Sequence, residues 1–584
     1  MARGGRVERA TDGAEGPPDR TPRRIPDRTP GRTPDRAPER TPGRAAGDVS
    51  GKTKGEGGGP ARRHVLAAGT GLAAAGVWAA SCGDSRGYAS PSGPSDRVPV
   101  ASAKAAPRTK AGAADWTALG KGLAGGLVRP GDADYATARQ LYNTRFDGLR
   151  PAAVAYVENT RDVAECLAFA RRHTTRISIR NGGHSYAGWS SGTDRLVIDV
   201  SRLRTVRTPS SGTAVVGAGA KLIDVYTALA ARGVTVPAGS CPTVGVSGLA
   251  LGGGHGVTSR AYGLTCDSLT GATVVTADGR TVDCDATRDA DLFWALRGAG
   301  NGNFGVVTEL RFRTHKAADG VSGYVSWPWS RAADVLRVWQ EWGPGRPDEI
   351  WSSCDLSTAA GGTPRVSVSA YSLGTYGDLA NSLDRLVAEV GGASNGVRLR
   401  RRTHLDMVRG YAGCGEKTTT QCHLPGRTPG REAAGALKRE TYAARSDFYD
   451  RSAGAAGNRA LTDQMERFSR KGGSGGAAIQ LTALGGAVNR VKPLETAFVH
   501  RRSRFLAQYL TSWAAGGSGA GQTSWLDGTH AAMRRYASGA AYQNYADPGL
   551  KDWRKAYYGD AEGRLTKLKG RYDPNRLFDF PQAL

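Results

Sequence analysis

The most informative stretch of this sequence is Gly239-Ser240-Cys241-Pro242-Thr243-Val244-Gly245-Val246-Ser247-Gly248, which runs on to Gly252-Gly253-Gly254-His255-Gly256. It holds seven glycines within 18 residues, and such a segment forms neither an ordinary helix nor a central strand. A backbone with few side chains can instead lie closely against a flat or phosphorylated ligand. Cys241 taken alone is more typical of a small buried apolar residue. The stretch therefore predicts a ligand-binding loop.

A second glycine-rich loop follows the apolar run Ile177-Ser178-Ile179, which predicts a strand. This loop reads Arg180-Asn181-Gly182-Gly183-His184-Ser185-Tyr186-Ala187-Gly188. The paired glycines allow successive backbone N–H groups to point into one concavity, which suits a pyrophosphate. Gly-Gly turns are common, however, and His184 by itself is more typical of a surface or structural histidine.

Together these two loops resemble those of the berberine bridge enzyme-like, FAD-linked oxidoreductases of the vanillyl-alcohol-oxidase superfamily, whose FAD-binding domain is of the PCMH type. The resemblance spans about residues 125–316 and returns at 536–584. It implies a doubly attached FAD, with His184 bonded to the flavin 8α-methyl and Cys241 bonded to flavin C6. It further implies FAD contacts at Arg180, Asn181, Gly182, Gly183, Ser185, Tyr186, Val244, Gly245, Val246, Gly248, Gly252, Val307 and Asn544.

The closing segment Ala541-Tyr542-Gln543-Asn544-Tyr545 looks like the Tyr-x-Asn-Tyr pattern of the same family. By this resemblance Tyr545 is the candidate general base, and Tyr542 is a second catalytic candidate, although both also fit packing aromatics. A phenol with a pKa near 10 must lose about three units to act as a base at neutral pH. We therefore expect cationic or hydrogen-bonding groups that lower the pKa of Tyr545.

The implied activity is the oxidation of an alcohol, either a sugar hydroxyl or a hydroxylated secondary metabolite, to a carbonyl. Electrons would pass through FAD to O2 and produce H2O2. Val244, three residues after Cys241, resembles the residue of oxygen-accessible family members and favours an oxidase over a dehydrogenase. The alternatives are a dehydrogenase or an oxidative cyclisation acting on a natural product, and a secreted flavin-retaining binding protein without turnover.

The chain of 584 residues carries a net charge of +26, and residues 1–64 contribute only a small part of it. Such a charge attracts nucleic acid, anionic surfaces or acidic substrates. The basic residues are scattered and do not alternate with aromatics as in a nucleic-acid groove. We therefore predict a small-molecule substrate and O2 as partners, no nucleic acid and no metal site, and leave the oligomeric state open.

The N-terminal region predicts export. Residues 1–60 repeat Arg and Pro with almost no apolar residue, which predicts a disordered extension. Residues 61–82 contain Arg62-Arg63 before an apolar run too short to span a bilayer, and resemble a twin-arginine signal. Cys82 is a candidate for a lipid anchor, although the Leu expected three residues earlier is Ala79. Residues 83–112 predict a linker.

The globular part predicts an α+β fold with two lobes. The FAD-binding domain covers 113–318, a substrate-binding domain covers 319–535, and 536–584 returns to the FAD-binding domain. The second domain is expected to be an antiparallel sheet covered by helices. Individual elements are predicted from apolar runs at 154–157, 196–200, 214–216, 272–276 and 306–312, and from helical spacing at 161–173 and 379–390.

Two further features concern the second domain. Cys414 and Cys422 flank a short Gly/Thr loop, and among the possible pairings of six cysteines this disulfide is favoured, while Cys166 fits a buried thiol. Substrate contacts are expected from 400–530, where the candidates that reach a pocket are Tyr442, Gln480, His500 and Arg501.

Overall fold

The computed structural model of the protein describes residues 109–393, 396–471 and 474–584. The predicted extension at 1–60, the export signal with Cys82 and all but the end of the predicted linker lie outside the described residues. Within the described ranges, no helix is both long enough and apolar enough to cross a membrane.

The described residues form eighteen strands, numbered β1 to β18 in chain order: Leu127–Val128, Ala153–Tyr156, Ile177–Arg180, Leu196–Asp199, Val206–Arg207, Thr213–Gly217, Val234–Thr235, Leu269–Val275, Thr281–Asp285, Val306–Arg313, His315–Lys316, Gly320–Trp327, Ile350–Ala359, Arg365–Ser372, Arg398–Arg402, Tyr442–Tyr449, Gly476–Ala483 and Phe505–Ser512.

The same residues form fifteen α-helices, numbered α1 to α15: Ala113–Gly122, Tyr135–Ala138, Thr160–Arg172, Leu222–Ala230, Val246–Ala250, Ser259–Tyr262, Ala290–Ala299, Ala332–Trp342, Tyr376–Val390, His404–Tyr411, Gly454–Ser469, Ala487–Arg490, Ala520–Arg534, Trp553–Tyr558 and Glu562–Tyr572. Short 3₁₀ turns lie at Thr144–Phe146, Thr265–Ser268, Trp329–Arg331, Thr420–Cys422, Gln543–Tyr545 and Gly559–Ala561.

A four-stranded sheet carries the second glycine-rich loop. Its order is β1-β2-β4-β3, with β2, β4 and β3 parallel and β1 antiparallel to β2. All residues of β2 and β4 are buried, which explains why β2 is a continuous apolar run and β4 is apolar up to Asp199. Helix α3 connects β2 to β3 and is capped by Asn159, whose side chain accepts a hydrogen bond from the backbone N–H of Asp162. The loop starts where β3 ends.

A five-stranded antiparallel sheet, β5-β6-β10-β8-β9, completes the first half of the fold. The buried apolar residues of both sheets form one hydrophobic core, and residues of the C-terminal segment belong to this core as well. Lys569 on α15 fixes the returning segment, because its Nζ donates to the backbone oxygens of Asn303 and Phe578, each over 2.8 Å. The end of the chain is thereby held against the sheet that carries Val307.

A seven-stranded antiparallel sheet forms the second half, in the order β15-β12-β14-β13-β17-β18-β16. Helices α8, α9, α11 and α13 cover one face of this sheet. On β17, Ile479 and Leu481 belong to the core beneath these helices, so Gln480 points to the opposite face. Strand pairing places Gln480 between Asp355 and Gln508, which gives that face a row of polar side chains.

The structure confirms the α+β class and the antiparallel sheet covered by helices. The apolar runs at 272–276 and 306–312 lie in β8 and β10, and the helix expected at 379–390 is the main part of α9. Cys414 and Cys422 form the favoured disulfide, and Cys166 is a buried thiol. The sequence missed the first turn of α9, which a capping box between Thr375 and Asp378 stabilises.

Candidate active site

A cavity of about 660 Å³ lies between the segments that the sequence analysis singled out. Its walls come from the two glycine-rich loops, from the polar face of the seven-stranded sheet and from the C-terminal segment. Its volume is in the range of pockets that bury a small molecule or cofactor. Segments far apart in the sequence therefore meet around one space.

The two glycine-rich loops pack directly against each other at the cavity wall. A Cβ on Gly182 would collide with the backbone of Thr243, and a Cβ on Gly245 would collide with the side chain of Asn181. Buried Lys221 fixes Asn181, because its Nζ donates to Asn181 Oδ1 over 2.6 Å. Glycine is thus required where the loops cross, and the backbone can come close to a ligand.

His184 is fixed on two sides. Its Nε2 lies 2.8 Å from Thr243 Oγ1, and its ring stacks on Tyr142 with centroids 4.0 Å apart. Burial, and to a smaller extent the charge of Lys221, lowers the pKa of His184 to about 3. The imidazole is therefore neutral near pH 7, which is the nucleophilic form.

The thiol of Cys241 opens onto the same cavity. The side chain is exposed to this space, yet it lies deep enough that burial raises its pKa to about 11. The carboxylate of Glu440 acts in the same direction, while a hydrogen bond from Ser240 opposes it. Thr243 follows Cys241 by two residues and contacts His184, so the two predicted attachment residues lie along the same wall.

Tyr545 lies at the centre of an aromatic cluster. Its ring stacks on Tyr186 at 4.9 Å with the planes 12° apart, and it meets the edge of Tyr542 at 4.9 Å. Its Oη lies 2.9 Å from Nε2 of His255. Burial raises the pKa of Tyr545 well above 10, and nearby Tyr186 raises it further. The expected lowering of this pKa is therefore absent from the described structure, because the groups around the phenol are aromatic and uncharged.

Tyr542 and Asn544 hold the C-terminal segment against the first glycine-rich loop. The backbone N–H of Gly254 donates to Tyr542 Oη over 2.7 Å, and Asn544 Nδ2 donates to the same oxygen over 2.9 Å. Asn544 also accepts a 2.7 Å hydrogen bond from Asn301. The Tyr542 hydroxyl is thus engaged by protein groups, whereas the Tyr545 hydroxyl contacts only His255 among the described residues.

Most of the predicted site residues line the cavity: Asn181, Gly182, Gly183, His184, Ser185, Tyr186, Cys241, Val244, Gly245, Gly248, Val307, Tyr542, Asn544 and Tyr545. Three predicted cofactor-binding residues do not. Arg180 is buried and pairs with Asp199 over 2.5 Å, because β3 and β4 place these residues in register. Val246 belongs to the hydrophobic core, and Gly252 packs against Asn544.

Of the four predicted substrate contacts from the second domain, two line the cavity and two do not. Tyr442 and Gln480 line the cavity, whereas His500 and Arg501 do not. His500 Nε2 bonds to the backbone oxygen of Tyr557 over 3.0 Å, and Arg501 forms a buried ion pair with Asp267 over 2.7 Å. Both residues therefore have a structural explanation.

Comparisons with known proteins agree with this arrangement. The family model described as an FAD binding domain matches residues 151–285, and the model described as berberine and berberine like matches residues 541–584. The uncharacterized FAD-linked oxidoreductase YgaK of Bacillus subtilis is 30% identical over 469 residues, which are 79% of this chain and 97% of that protein. The chain belongs to the berberine bridge enzyme-like FAD-linked oxidoreductases.

Two further relatives support this membership. The chitooligosaccharide oxidase of Gibberella zeae is 32% identical over 465 residues, which cover 76% of this chain and 89% of that protein. The solved structure of Physcomitrella patens BBE-like 1 superimposes with a TM-score of 0.72 at 30% identity and covers 80% of this chain and 98% of that one. Like other berberine bridge enzyme-like proteins, this chain is an FAD-linked oxidoreductase.

The cavity of this berberine bridge enzyme-like chain suits FAD. Three buried side-chain oxygens on its wall have no hydrogen-bond partner among the described residues: Asn301 Oδ1, Gln543 Oε1 and Gln582 Oε1. Buried acceptors of this kind are normally satisfied, so a ligand that carries N–H and O–H donors is expected there. The glycine crossing at Gly182 and Gly245 provides the close backbone approach that a pyrophosphate requires.

Several polar residues of the cavity have no predicted role in the sequence, among them His255 and Gln508. His255 lies in the glycine-rich stretch, and Gln508 lies on β18. Gln508 Nε2 donates to Tyr186 Oη over 2.7 Å. A signal for Gln508 existed, because it interrupts the apolar pattern of β18 on the face opposite Ala507 and Tyr509. The contact of His255 with Tyr545 has no local signal.

Proposed function

We propose that this protein is an oxidase whose FAD is attached through both His184 and Cys241, and which converts a sugar hydroxyl to a carbonyl. The observation that carries the proposal is the position of His184 and Cys241 on the wall of one cavity, joined through Thr243. The resemblance to family members with two attachment points supports the same assignment.

The state of the two side chains is compatible with attachment. His184 is neutral and its Nε2 is engaged by Thr243, so its Nδ1 is the nitrogen we assign to the bond. Cys241 is the one cysteine of the described residues that is exposed, and its thiol faces the cavity rather than the core. Attachment prevents loss of the cofactor by dissociation, which matters for a protein exported to surroundings with little free FAD.

FAD held through His184 and Cys241 would supply the two-electron acceptor for the substrate C–H hydrogen, and these electrons would reduce O2 to H2O2. The chain's own contribution is to hold the substrate and to remove the hydroxyl proton, and we assign this proton transfer to Tyr545. Tyr545 lines the cavity, and a proton acceptor must lie within hydrogen-bond distance of the substrate hydroxyl. Tyr542 supports Tyr545 by edge-to-face packing.

We propose an oligosaccharide as the substrate class, since one relative is named chitooligosaccharide oxidase. The cavity is lined by Tyr142, Tyr411 and Tyr442 and by the amide side chains of Gln480 and Gln508. Aromatic faces with a few placed polar groups are typical of sites that orient small ligands. Val244 also lines the cavity, and by its resemblance to oxygen-accessible members it supports an oxidase.

We also propose that the chain is exported by the twin-arginine signal at 61–82, with Cys82 as a candidate lipid anchor. In the same proposal the FAD-binding domain comprises 113–318 and 536–584, and the substrate-binding domain comprises 319–535. The seven strands of the large sheet all fall within the second range, and the C-terminal helices share the core of the first.

The test uses the purified protein in three steps. Acid-precipitated protein should keep its yellow colour, whereas the double variant His184→Ala, Cys241→Ala should lose it. A panel of oligosaccharides and aromatic alcohols should include a substrate that bleaches the flavin without oxygen and produces H2O2 with oxygen. Bleaching without H2O2 would indicate the dehydrogenase, a cyclised product would indicate the oxidative cyclisation, and colour without any bleaching would indicate the binding protein.

A further inference from the structure

We infer that His255 accepts the phenolic proton of Tyr545 while Tyr545 removes the hydroxyl proton of the substrate. The inference rests on the proposed function, in which Tyr545 is the base. His255 acts through Tyr545 and is therefore a positioning residue. The geometry that carries it is the 2.9 Å distance between His255 Nε2 and Tyr545 Oη, with both residues on the cavity wall.

Tyr545 needs a proton acceptor next to its hydroxyl to act as a base. Burial raises its pKa, and the nearby Tyr186, Tyr542, Tyr411 and Cys241 all act in the same direction. A free phenolate is therefore not formed at neutral pH. A neutral phenol can still act as a base if its own proton leaves as the new proton arrives, and this requires an acceptor within hydrogen-bond distance of Oη.

His255 has the properties of that acceptor. Burial lowers its pKa to about 4, so the imidazole is neutral before the step and has one free lone pair, and it holds the extra proton only while the opposite charge formed in the same step lies close by. The groups that face it are Tyr545 and Tyr542, with ring centroids at 6.0 and 5.5 Å, and neither is charged. Its Nδ1 is buried and has no hydrogen-bond partner among the described residues. We assign the ring hydrogen to Nδ1, which leaves the Nε2 lone pair for the Tyr545 hydroxyl.

The backbone before His255 fixes the ring. Gly253 and Gly254 adopt φ values of +129° and +84°, which disfavour other residues, and a Cβ on Gly254 would collide with Thr265. The N–H of Gly254 is in turn held by the hydroxyl of Tyr542. The glycines at 252–254 therefore have a second role besides the close approach to a ligand, because their backbone conformation directs the His255 side chain towards Tyr545.

The protons and electrons of the step balance. The substrate O–H proton moves to Tyr545 Oη, and the Tyr545 proton moves to His255 Nε2. The C–H hydrogen leaves with its electron pair to the two-electron acceptor of the proposed function, so the substrate carbon is oxidised and a C=O bond forms. The proton held by His255 is consumed when O2 is reduced to H2O2. Positive and negative charges form together, which limits the cost of creating charge in a site of low dielectric constant.

The kinetic test compares His255→Gln and His255→Phe with His315→Gln, a histidine that stacks on Tyr262 and does not line the cavity. We expect kcat of His255→Phe to fall by about 10²-fold or more, the usual contribution of a positioned proton acceptor, while KM changes little. In a third variant, His255→Ala, added imidazole should restore part of the lost turnover. The control His315→Gln should have the kcat and KM of the wild-type protein. Unchanged kcat in the His255 variants, with their flavin still attached, would overturn the inference.

A second readout does not depend on turnover. In protein with 15N-labelled histidine, the signals lost in His255→Gln report which ring nitrogen carries the hydrogen. We expect hydrogen on Nδ1 and a bare Nε2. Hydrogen on Nε2 would mean that His255 donates to Tyr545, which contradicts the inference whatever the kinetics of the variants are. A wild-type protein without attached flavin or alcohol oxidation would instead refute the proposed function.

Discussion

Nε2 of His184 lies 2.8 Å from Oγ1 of Thr243, and this contact joins the loop after β3 to the loop that carries Cys241. Because it orients the imidazole, we expect Thr243→Val to impair attachment at His184 and to leave attachment at Cys241. After denaturation the flavin should remain on the chain, and peptide mapping should find the His184 peptide unmodified. Thr243→Ser, which keeps the hydroxyl, is the matched control. Full attachment at His184 in the valine variant would show that the contact has no role.

Gln508 supports the base indirectly, since its amide donates to Tyr186 and Tyr186 stacks on Tyr545. We expect Gln508→Leu to reduce kcat/KM by about tenfold, which corresponds to the roughly 1.4 kcal/mol of one lost hydrogen bond in a buried site. Flavin attachment should be unaffected. Gln522→Leu, in α13 and outside the cavity, is the control. Equal kcat/KM in Gln508→Leu and Gln522→Leu would show that Gln508 does not support the base.

The Cys414–Cys422 disulfide closes a short loop in which Lys417 lines the cavity, and Gly413, which directly precedes Cys414, lines it as well. Because the bond restricts this wall, we expect Cys422→Ser to raise KM while kcat and the attached flavin stay close to wild type. The free energy of unfolding should fall by roughly 2–3 kcal/mol, as expected for a cross-link of this length. Steady-state kinetics and denaturant unfolding check both parts. A lower kcat with an unchanged KM would contradict the assignment of this loop to substrate access.

Two buried histidines outside the cavity predict acid sensitivity. Burial lowers the pKa of His404 to about 4 and that of His500 to about 3. The unfolded chain binds their protons below pH 6.5 and the folded chain does not, so the free energy of unfolding falls as the pH drops from 6.5 towards 4. Each histidine contributes on the order of 3 kcal/mol to this fall. Unfolding of His404→Gln at pH 7 and pH 4.5 should show a smaller loss than the wild type, and an equal loss would refute the prediction.

The sequence predicts the elements well where burial is continuous or strictly periodic. The fully buried β2 is visible as an uninterrupted apolar run, and the glycine loops are visible because few other structures tolerate such a composition. Arg180 shows the limit of this reasoning. It directly precedes the loop in sequence, but the register of β3 with β4 sets it against Asp199, and a single sequence does not give strand register.

The chemistry of the site is less accessible from sequence than its location. The pKa of Tyr545 is raised by burial and by Tyr186, about 360 residues away along the chain, and its hydrogen-bond partner His255 lies about 290 residues away. Local patterns identify Tyr545 as a candidate base but do not reveal that its neighbours are uncharged. A lowered pKa of Tyr545 is expected only because the reaction needs a base. The structure instead shows the Tyr545 hydroxyl hydrogen-bonded to His255.

The mass of the intact chain under denaturing conditions tests the central claim most directly. We expect the mass of one added FAD on the wild-type protein. Each of the single variants His184→Ala and Cys241→Ala should also carry one added FAD, because the remaining bond still holds the flavin. The double variant should have the mass of the polypeptide alone. A wild-type chain without the added nucleotide would contradict the account.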